Sequence, residues 1–217
     1  LIIYKMIIHQ IFLDIGLKPL CERQDWLKSI ETNKKLNPNS EHILWDDEKV
    51  NNLLKEYPEY NEMIATFPHK FYLIDFIRYL ILWKYGGVYI DLDVCCKQSI
   101  EDFSTICGVT DGKINNNVIK ITKIQSYELL QYAMSEYKRI TDNKLYSKWA
   151  GRHFINSVSA GMFKRWCKNN KIVSDIKFED YFWDEECKSW VHNQVCKKDY
   201  NPNKIKYGSV NYKSSLT

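Results

Sequence analysis

Apolar positions fall into short runs and helical stripes that follow one another along the chain. Residues 6–13 (MIIHQIFL) form an apolar run of strand length ended by Asp14 and Gly16, and they predict a first strand. The spacing of Trp26, Leu27 and Ile30 predicts an amphipathic helix over 19–35, opened near Pro19 and stopped by the turn Asn37-Pro38-Asn39. His42-Ile43-Leu44-Trp45 predicts a short buried strand, and Asp46-Asp47 offer an N-cap to a helix around 48–56. Strand, helix, strand, helix in this order predicts a parallel sheet with helical crossovers.

Residues 69–85 repeat apolar side chains at helical spacing, with Leu73, Phe76, Ile77, Leu80 and Ile81 on overlapping faces. Gly86-Gly87 predict the end of that helix and a tight turn. Val88-Tyr89-Ile90 then read as a central strand, with Asp91-Leu92-Asp93 at its carboxyl end. Open α/β sheets bind their ligands outside the carboxyl ends of strands, which makes this the first place to look for chemistry. Further on, residues 117–124 (NVIKITKI) alternate like a strand. Residues 126–140 predict a helix with Leu129, Leu130, Ala133, Met134 and Tyr137 inward, and a further helix is expected over 156–169. The tail from 172 is rich in aromatic residues but weakly periodic, and it predicts no definite element. No repeat, low-complexity segment or linker divides the chain.

Length and composition narrow the class. The 217 residues suffice for one sizeable domain and are few for two, and 45% hydrophobic with 27% charged residues suits a folded globular chain. The net charge of +4 comes from Lys and Arg scattered along the sequence, so no basic tract argues for a nucleic-acid partner. No apolar stretch reaches membrane-spanning length; Leu73 to Tyr85 is broken by Asp75, Arg78 and Lys84. Residues 1–13 carry Lys5, His9 and Gln10 within the apolar run and lack a small-residue cleavage site, so they read as a strand rather than a leader. Position 1 is not methionine, which leaves open an upstream segment or anchor outside this sequence. Seven cysteines (Cys21, Cys95, Cys96, Cys107, Cys167, Cys187 and Cys196) make an odd set without a CxxC pair. They predict free thiols in a reducing, cytoplasmic compartment.

Asp91 and Asp93 can reach one hard cation from the same side of a strand end. Such a cation, Mn²⁺ or Mg²⁺, would neutralise a diphosphate leaving group. Two aspartates one residue apart are weak evidence alone, and the plainer alternative is a solvated turn. Asp75 and Arg78 strengthen the case, because they lie three apart on one helix face within a very apolar segment. An ion pair on the surface is the plainer alternative for that pair. Charges set among Ile, Leu, Phe and Trp are costly unless paired or bound to something.

The segment FYLIDFIRYLILWKYGGVYIDLDV, running from Phe71 to Val94, carries Asp75, Arg78, Gly86, Gly87, Tyr89, Asp91 and Asp93 in an ordered pattern. It resembles the sugar-binding region of the DXD glycosyltransferases, the family of initiating α-mannosyltransferases and capsular sugar transferases, and is similar to the glucosyltransferase domains of large clostridial toxins. KMIIHQIF at the start resembles that family's first strand, and NPNSEHILWDDE resembles its LWDD segment. The three matches span about residues 5–95 in the family's order.

The resemblance implies a GT-A type α/β fold with a mainly parallel sheet flanked by helices. One domain over 1–217 is expected, with a donor half in 1–95 and a sugar, acceptor and closing half in 96–217. It implies a retaining, metal-dependent hexosyltransferase that takes a nucleotide-sugar donor and a protein or glycan acceptor. The toxin-like spacing favours UDP-glucose or UDP-N-acetylglucosamine over GDP-mannose. Phe12 stands where the family usually has the Trp that stacks on the base. Asp75 and Arg78 would bond sugar hydroxyls, with Arg78 also near the departing phosphate, and Tyr89 would contact the nucleotide. Asp91 would bind ribose and sugar hydroxyls, and Asp93 would bind the metal. His9 and Gln10 read as packing residues, and Trp45 and Asp46 as shaping the second strand end.

Beyond residue 95 the resemblance thins. Among Asn115, Asn116 and Asn117, Asn117 is the expected sugar-facing residue, and a plain polar loop is the alternative. Ala150-Gly151-Arg152 stand for the family's Thr-Gly-Pro. In the tail, Val210 occupies the position of a family His and Leu216 that of a Trp, leaving Asn211 and Ser215 as substitute metal or phosphate ligands. His192 is another candidate ligand and Lys213 another cation. The altered tail keeps open a binding-only relative that does not turn over its donor. A glycoside hydrolase would need two carboxylates facing each other across about 5 to 10 Å, and no partner for the Asp91–Asp93 pair stands out. A phosphotransferase would want a GxxxxGK loop, which the sequence lacks.

Overall fold

The computed structural model describes residues 5–16, 19–67, 69–96, 98–110, 113–142, 159–175, 181–184 and 189–192. Five strands make the main sheet: β1 (Ile7–Ile11), β2 (Glu41–Trp45), β3 (Val88–Ile90), β4 (Ile106–Thr110) and β5 (Lys113–Lys120). Their order is β2-β1-β3-β5-β4. β2, β1 and β3 pair in parallel, whereas β5 runs antiparallel to both β3 and β4. Four of the five strands therefore point one way, as a GT-A type sheet requires. Tyr181–Asp184 (β6) and Ser189–His192 (β7) form a separate antiparallel pair.

The crossovers are α1 (Gln24–Leu36) between β1 and β2, and α2 (Asp47–Lys55), α3 (Asn61–Ala65) and α4 (Lys70–Tyr85) between β2 and β3. After the β4–β5 hairpin come α5 (Lys123–Asp142) and α6 (Ala160–Asn169). α2 starts as its sequence predicts, with the Asp46 carboxylate accepting the Lys49 amide at 2.8 Å. α4 is apolar all round, so it is a core helix: residues 75–82 are all buried. It ends on Gly86 and Gly87, whose φ values of 70° and 85° suit residues without a side chain. At Gly87 a Cβ would lie 2.2 Å from the Ile7 carbonyl oxygen, so the turn and β1 approach as closely as backbones can.

Two expectations in the second half are corrected. The strand expected over 117–124 runs from Lys113 to Lys120, and its partner β4 carries no clear alternation. The register breaks between Cys107 and Gly108, and this bulge disturbs the period of two on which such a reading depends. The helix expected over 156–169 begins at Ala160.

The sheet separates two apolar clusters. Ile11, Trp45, Tyr89, Cys107 and Ile119 pack under α4, α5 and α6, while Ile8, Val88, Ile90, Val94 and Ile106 form the second. α1 lies along the second face and is tied to the chain just after the DXD segment. Asn33 donates to the Val94 carbonyl at 3.0 Å and accepts the Cys96 amide at 2.8 Å, and Ser29 also donates to Val94. Among the described residues, Cys21, Cys95, Cys96, Cys107 and Cys167 are free thiols. No described helix is long and apolar enough to cross a membrane.

Candidate active site

His9 fixes the base of the site. This fully buried ring donates from Nε2 to the Gly86 carbonyl at 2.9 Å and accepts the Trp45 indole N–H at Nδ1 at 3.1 Å. It joins β1, β2 and the turn that launches β3. Burial lowers its pKa to about 4, the Gly86 hydrogen bond opposing, so the imidazole is neutral at physiological pH. The packing role expected of His9 fits this arrangement.

At the carboxyl end of β3 the side chains of α4, β3 and β5 converge. Arg78 reaches Asp75 at 3.0 Å, Asp91 at 3.5 Å and the Asn116 carbonyl at 2.7 Å, and its guanidinium lies 4.5 Å over the Tyr89 ring. The Tyr89 hydroxyl donates to the same Asp91 carboxylate. The pair on α4 is thus a buried pair within a network, which removes the surface ion-pair alternative. Burial works against the Arg78 charge, but Tyr89, Asp91 and Asp75 more than offset it and hold the guanidinium above its ordinary value.

Asn116 is the residue that sequence reading passed over. Its Nδ2 donates to Asp75 at 2.9 Å and to the Tyr79 hydroxyl at 3.1 Å, while its own carbonyl accepts Arg78. One buried residue therefore holds both members of the α4 pair. Asn117, the expected sugar-facing residue, is also buried; its carbonyl accepts the Asp91 amide at 2.8 Å, and its side chain lies directly against Gly108. The three adjacent asparagines gave the sequence no means of separating these roles. The β4–β5 register shifts from Cys107–Ile119 to Gly108–Asn115, so Asn116 and Asn117 lie within the irregularity.

Asp93 differs from Asp91 in its partners, since both are half-buried: burial and then the nearby Asp91 charge raise the Asp93 pKa to about 7, against the opposing pull of Arg78 and Arg23. Asp91 is raised by burial too, but Arg78 and the Tyr89 hydroxyl counter the shift. The strand end therefore carries two carboxylates with too little positive charge around them, and added positive charge beside Asp93 would relieve that imbalance. Phe12 sits just past β1, its amide bonded to the Trp45 carbonyl at 2.8 Å and its ring edge-on to Trp26 at 6.1 Å. The remaining candidates, Ala150-Gly151-Arg152, Val210, Asn211, Lys213, Ser215, Leu216 and the His192 side chain, lie outside the described residues.

Residues 23–118 match the model of the glycosyltransferase sugar-binding region containing the DXD motif. This chain carries the DXD glycosyltransferase region. Inositol phosphoceramide mannosyltransferase 3 of Schizosaccharomyces pombe is 30% identical over 105 residues, covering 46% of this chain and 30% of that protein. Mannosyl phosphorylinositol ceramide synthase CSH1 of Saccharomyces cerevisiae is 35% identical over 79 residues, covering 36% and 21% respectively. Lactosylceramide 4-alpha-galactosyltransferase of Pongo pygmaeus is 22% identical over 101 residues, covering 46% and 44%. Each match covers less than half of the relative's own length. Among solved structures, the PaToxG glycosyltransferase superposes with a TM-score of 0.54 at 15% identity, over 76% of this chain and 68% of that one. At that identity the likeness is one of fold, and it agrees with the GT-A type expected of a DXD glycosyltransferase.

Proposed function

We propose that the chain transfers a hexose from a nucleoside-diphosphate sugar, with the donor seated at the carboxyl end of β3. The observation that carries this reading is the contrast within the DXD segment. Asp91 is locked to Arg78 and Tyr89, while Asp93, two residues on and likewise half-buried, is short of countercharge. A divalent cation, Mn²⁺ or Mg²⁺, held by Asp93 with Asp91 beside it would offset the diphosphate charge and act as a Lewis acid. Among the described residues no group of three or more His, Cys, Asp or Glu side chains forms a metal cluster, so donor oxygens, water and the expected Asn211 and Ser215 would complete such a shell.

In this reading Asp75 and Asp91 orient the sugar and ribose hydroxyls. Arg78 stabilises charge developing on the leaving diphosphate, from a pocket where it cannot lose its proton. Asn116 positions both α4 residues, Tyr89 fixes Asp91, and Phe12 stacks on the base. Asn117 faces the sugar only through the backbone it steadies. No carboxylate besides the DXD pair and Asp75 reaches this cluster among the described residues, which favours a retaining, front-face substitution.

Glucose or N-acetylglucosamine from UDP follows from the toxin-like spacing, and the named relatives add mannosyl and galactosyl transfer. Those relatives also add sphingolipid acceptors to the protein or glycan acceptor expected. Free thiols support a reducing compartment. The test is donor turnover: UDP-glucose, UDP-N-acetylglucosamine, UDP-galactose and GDP-mannose are each incubated with Mn²⁺, and released nucleoside diphosphate is measured. The reading expects release from one donor, lost with EDTA and with Asp93→Asn. Metal-dependent donor binding without release would instead support the binding-only relative.

A further inference from the structure

Two thiols meet between β4 and α6. Cys107 lies on β4 and Cys167 in the last turn of α6, and both belong to the apolar cluster under α4, α5 and α6. Their Sγ atoms are 3.9 Å apart, and both are buried, free thiols.

The chain that follows α6 holds this meeting in register. It turns at Lys171, whose φ of 51° lies in the left-handed region, and then comes back along β4. The Ile172 amide donates to the Cys167 carbonyl at 2.9 Å, and the Cys107 amide donates to Ser174 Oγ at 3.0 Å. Asp175 completes the strap. Its amide donates to the Thr105 carbonyl at 2.9 Å, and its carboxylate accepts the Ser104 and Thr105 amides at 2.6 and 2.8 Å. The two sulfurs are therefore set by hydrogen-bonded backbone beside each cysteine, and not by apolar packing alone.

A disulfide bond is about 2 Å long, so these sulfurs must close by about 2 Å, a distance on the scale of side-chain rotation. The hydrogen bond shared with Cys107, and then burial, raise the pKa of Cys167, which keeps the thiol protonated and slow to react. Oxidation then proceeds when the end of α6 opens locally, and a small neutral oxidant is the kind that enters.

We propose that Cys107 and Cys167 are a redox modification site, at which a peroxide forms a disulfide that fastens α6 to β4. One thiol gives up its proton and its sulfur attacks a peroxide oxygen, forming a sulfenic acid and releasing water. The second sulfur attacks the sulfenic sulfur, forms the S–S bond and releases a second water. Two electrons pass from the pair to the peroxide, and a thiol reductant reverses the change. The pair uses none of the proposed donor-site residues, so the inference is independent of the function proposed above.

Peptide mapping of the intact chain decides it. The reduced protein is treated in dilute solution with hydrogen peroxide, alkylated with iodoacetamide in denaturant and digested with trypsin without reductant. The proposal expects residues 98–113 and 166–168, which carry Cys107 and Cys167, to appear as one disulfide-linked species that a reductant separates. It also expects the oxidised chain to melt roughly 5 to 10 °C above the reduced one, the scale of a disulfide closing a long loop. Cys107→Ala and Cys167→Ala should each lose that rise relative to their own reduced forms. Recovery of the two peptides unlinked, at a peroxide dose that consumes the exposed Cys21 thiol, overturns the proposal. So does linkage of either cysteine to a different one, or a Cys107–Cys167 bond that leaves the midpoint unchanged or lowers it.

Discussion

On the α1 face of the sheet, Ser29, Asn33 and Asn37 direct their side chains at backbone groups of residues 94–100. On the α4 face, Asp75, Arg78, Tyr89, Asp91 and Asn116 bond chiefly to one another. Both sets are buried except for the half-buried Asp91, and both satisfy the rule that buried polar groups find partners. The first set closes its hydrogen bonds within the fold and has nothing left to offer a ligand. The second gathers charge at a strand end and leaves Asp93 at its margin under-neutralised. Buried polarity alone therefore does not mark a site; charge that the fold leaves incompletely compensated does.

Arg78→Ala should break this contrast most severely. It leaves the buried Asp75 and the half-buried Asp91 without their cation, so unfolding free energy should drop by about 3 kcal/mol or more, read by denaturant melts, and donor release should vanish. Next comes the His9 anchor, whose folded pKa of about 4 lies below its ordinary 6.5. Protonation favours the unfolded chain, so the neutral ring's contribution is full above pH 6.5 and is lost as pH falls towards 4. The loss should total about 3 kcal/mol, since each pKa unit corresponds to 1.36 kcal/mol. His9→Gln should flatten that part of the stability–pH curve.

Asn33→Ala and Asn116→Ala sharpen the comparison directly. Each unpairs buried groups and should cost about 2 kcal/mol. Asn33→Ala should nevertheless keep nucleoside-diphosphate affinity within about threefold of wild type, whereas Asn116→Ala should lose turnover because Asp75 and Arg78 go unsupported. Equal effects on binding would erase the distinction between the faces. Asp46→Ala, remote from both networks, should remove the α2 cap together with the exposed Lys49 ion pair, at about 1 kcal/mol, with donor turnover unchanged.

The donor half was legible in the sequence because its elements are locally consistent. β1 and β2 are short apolar runs, α4 is apolar all round, and Gly86-Gly87 mark the turn into β3. Spacing put Asp75 and Arg78 on one helix face, the family resemblance added Tyr89 and Asp91, and the structure brings the four into one network. The β4–β5 hairpin was not legible, since its bulge at Cys107 and Gly108 breaks the alternation that would announce it. Asn116 and Asn117 lie within that irregularity, where one-dimensional spacing cannot assign faces.

The most direct test of the central claim is a crystal structure of the chain grown with Mn²⁺ and the nucleoside diphosphate that binds it best. The account predicts the metal on Asp93, the diphosphate beside Arg78, and the base against Phe12. A nucleotide bound elsewhere, with the β3 end unchanged and Asp93 uncoordinated, would contradict it.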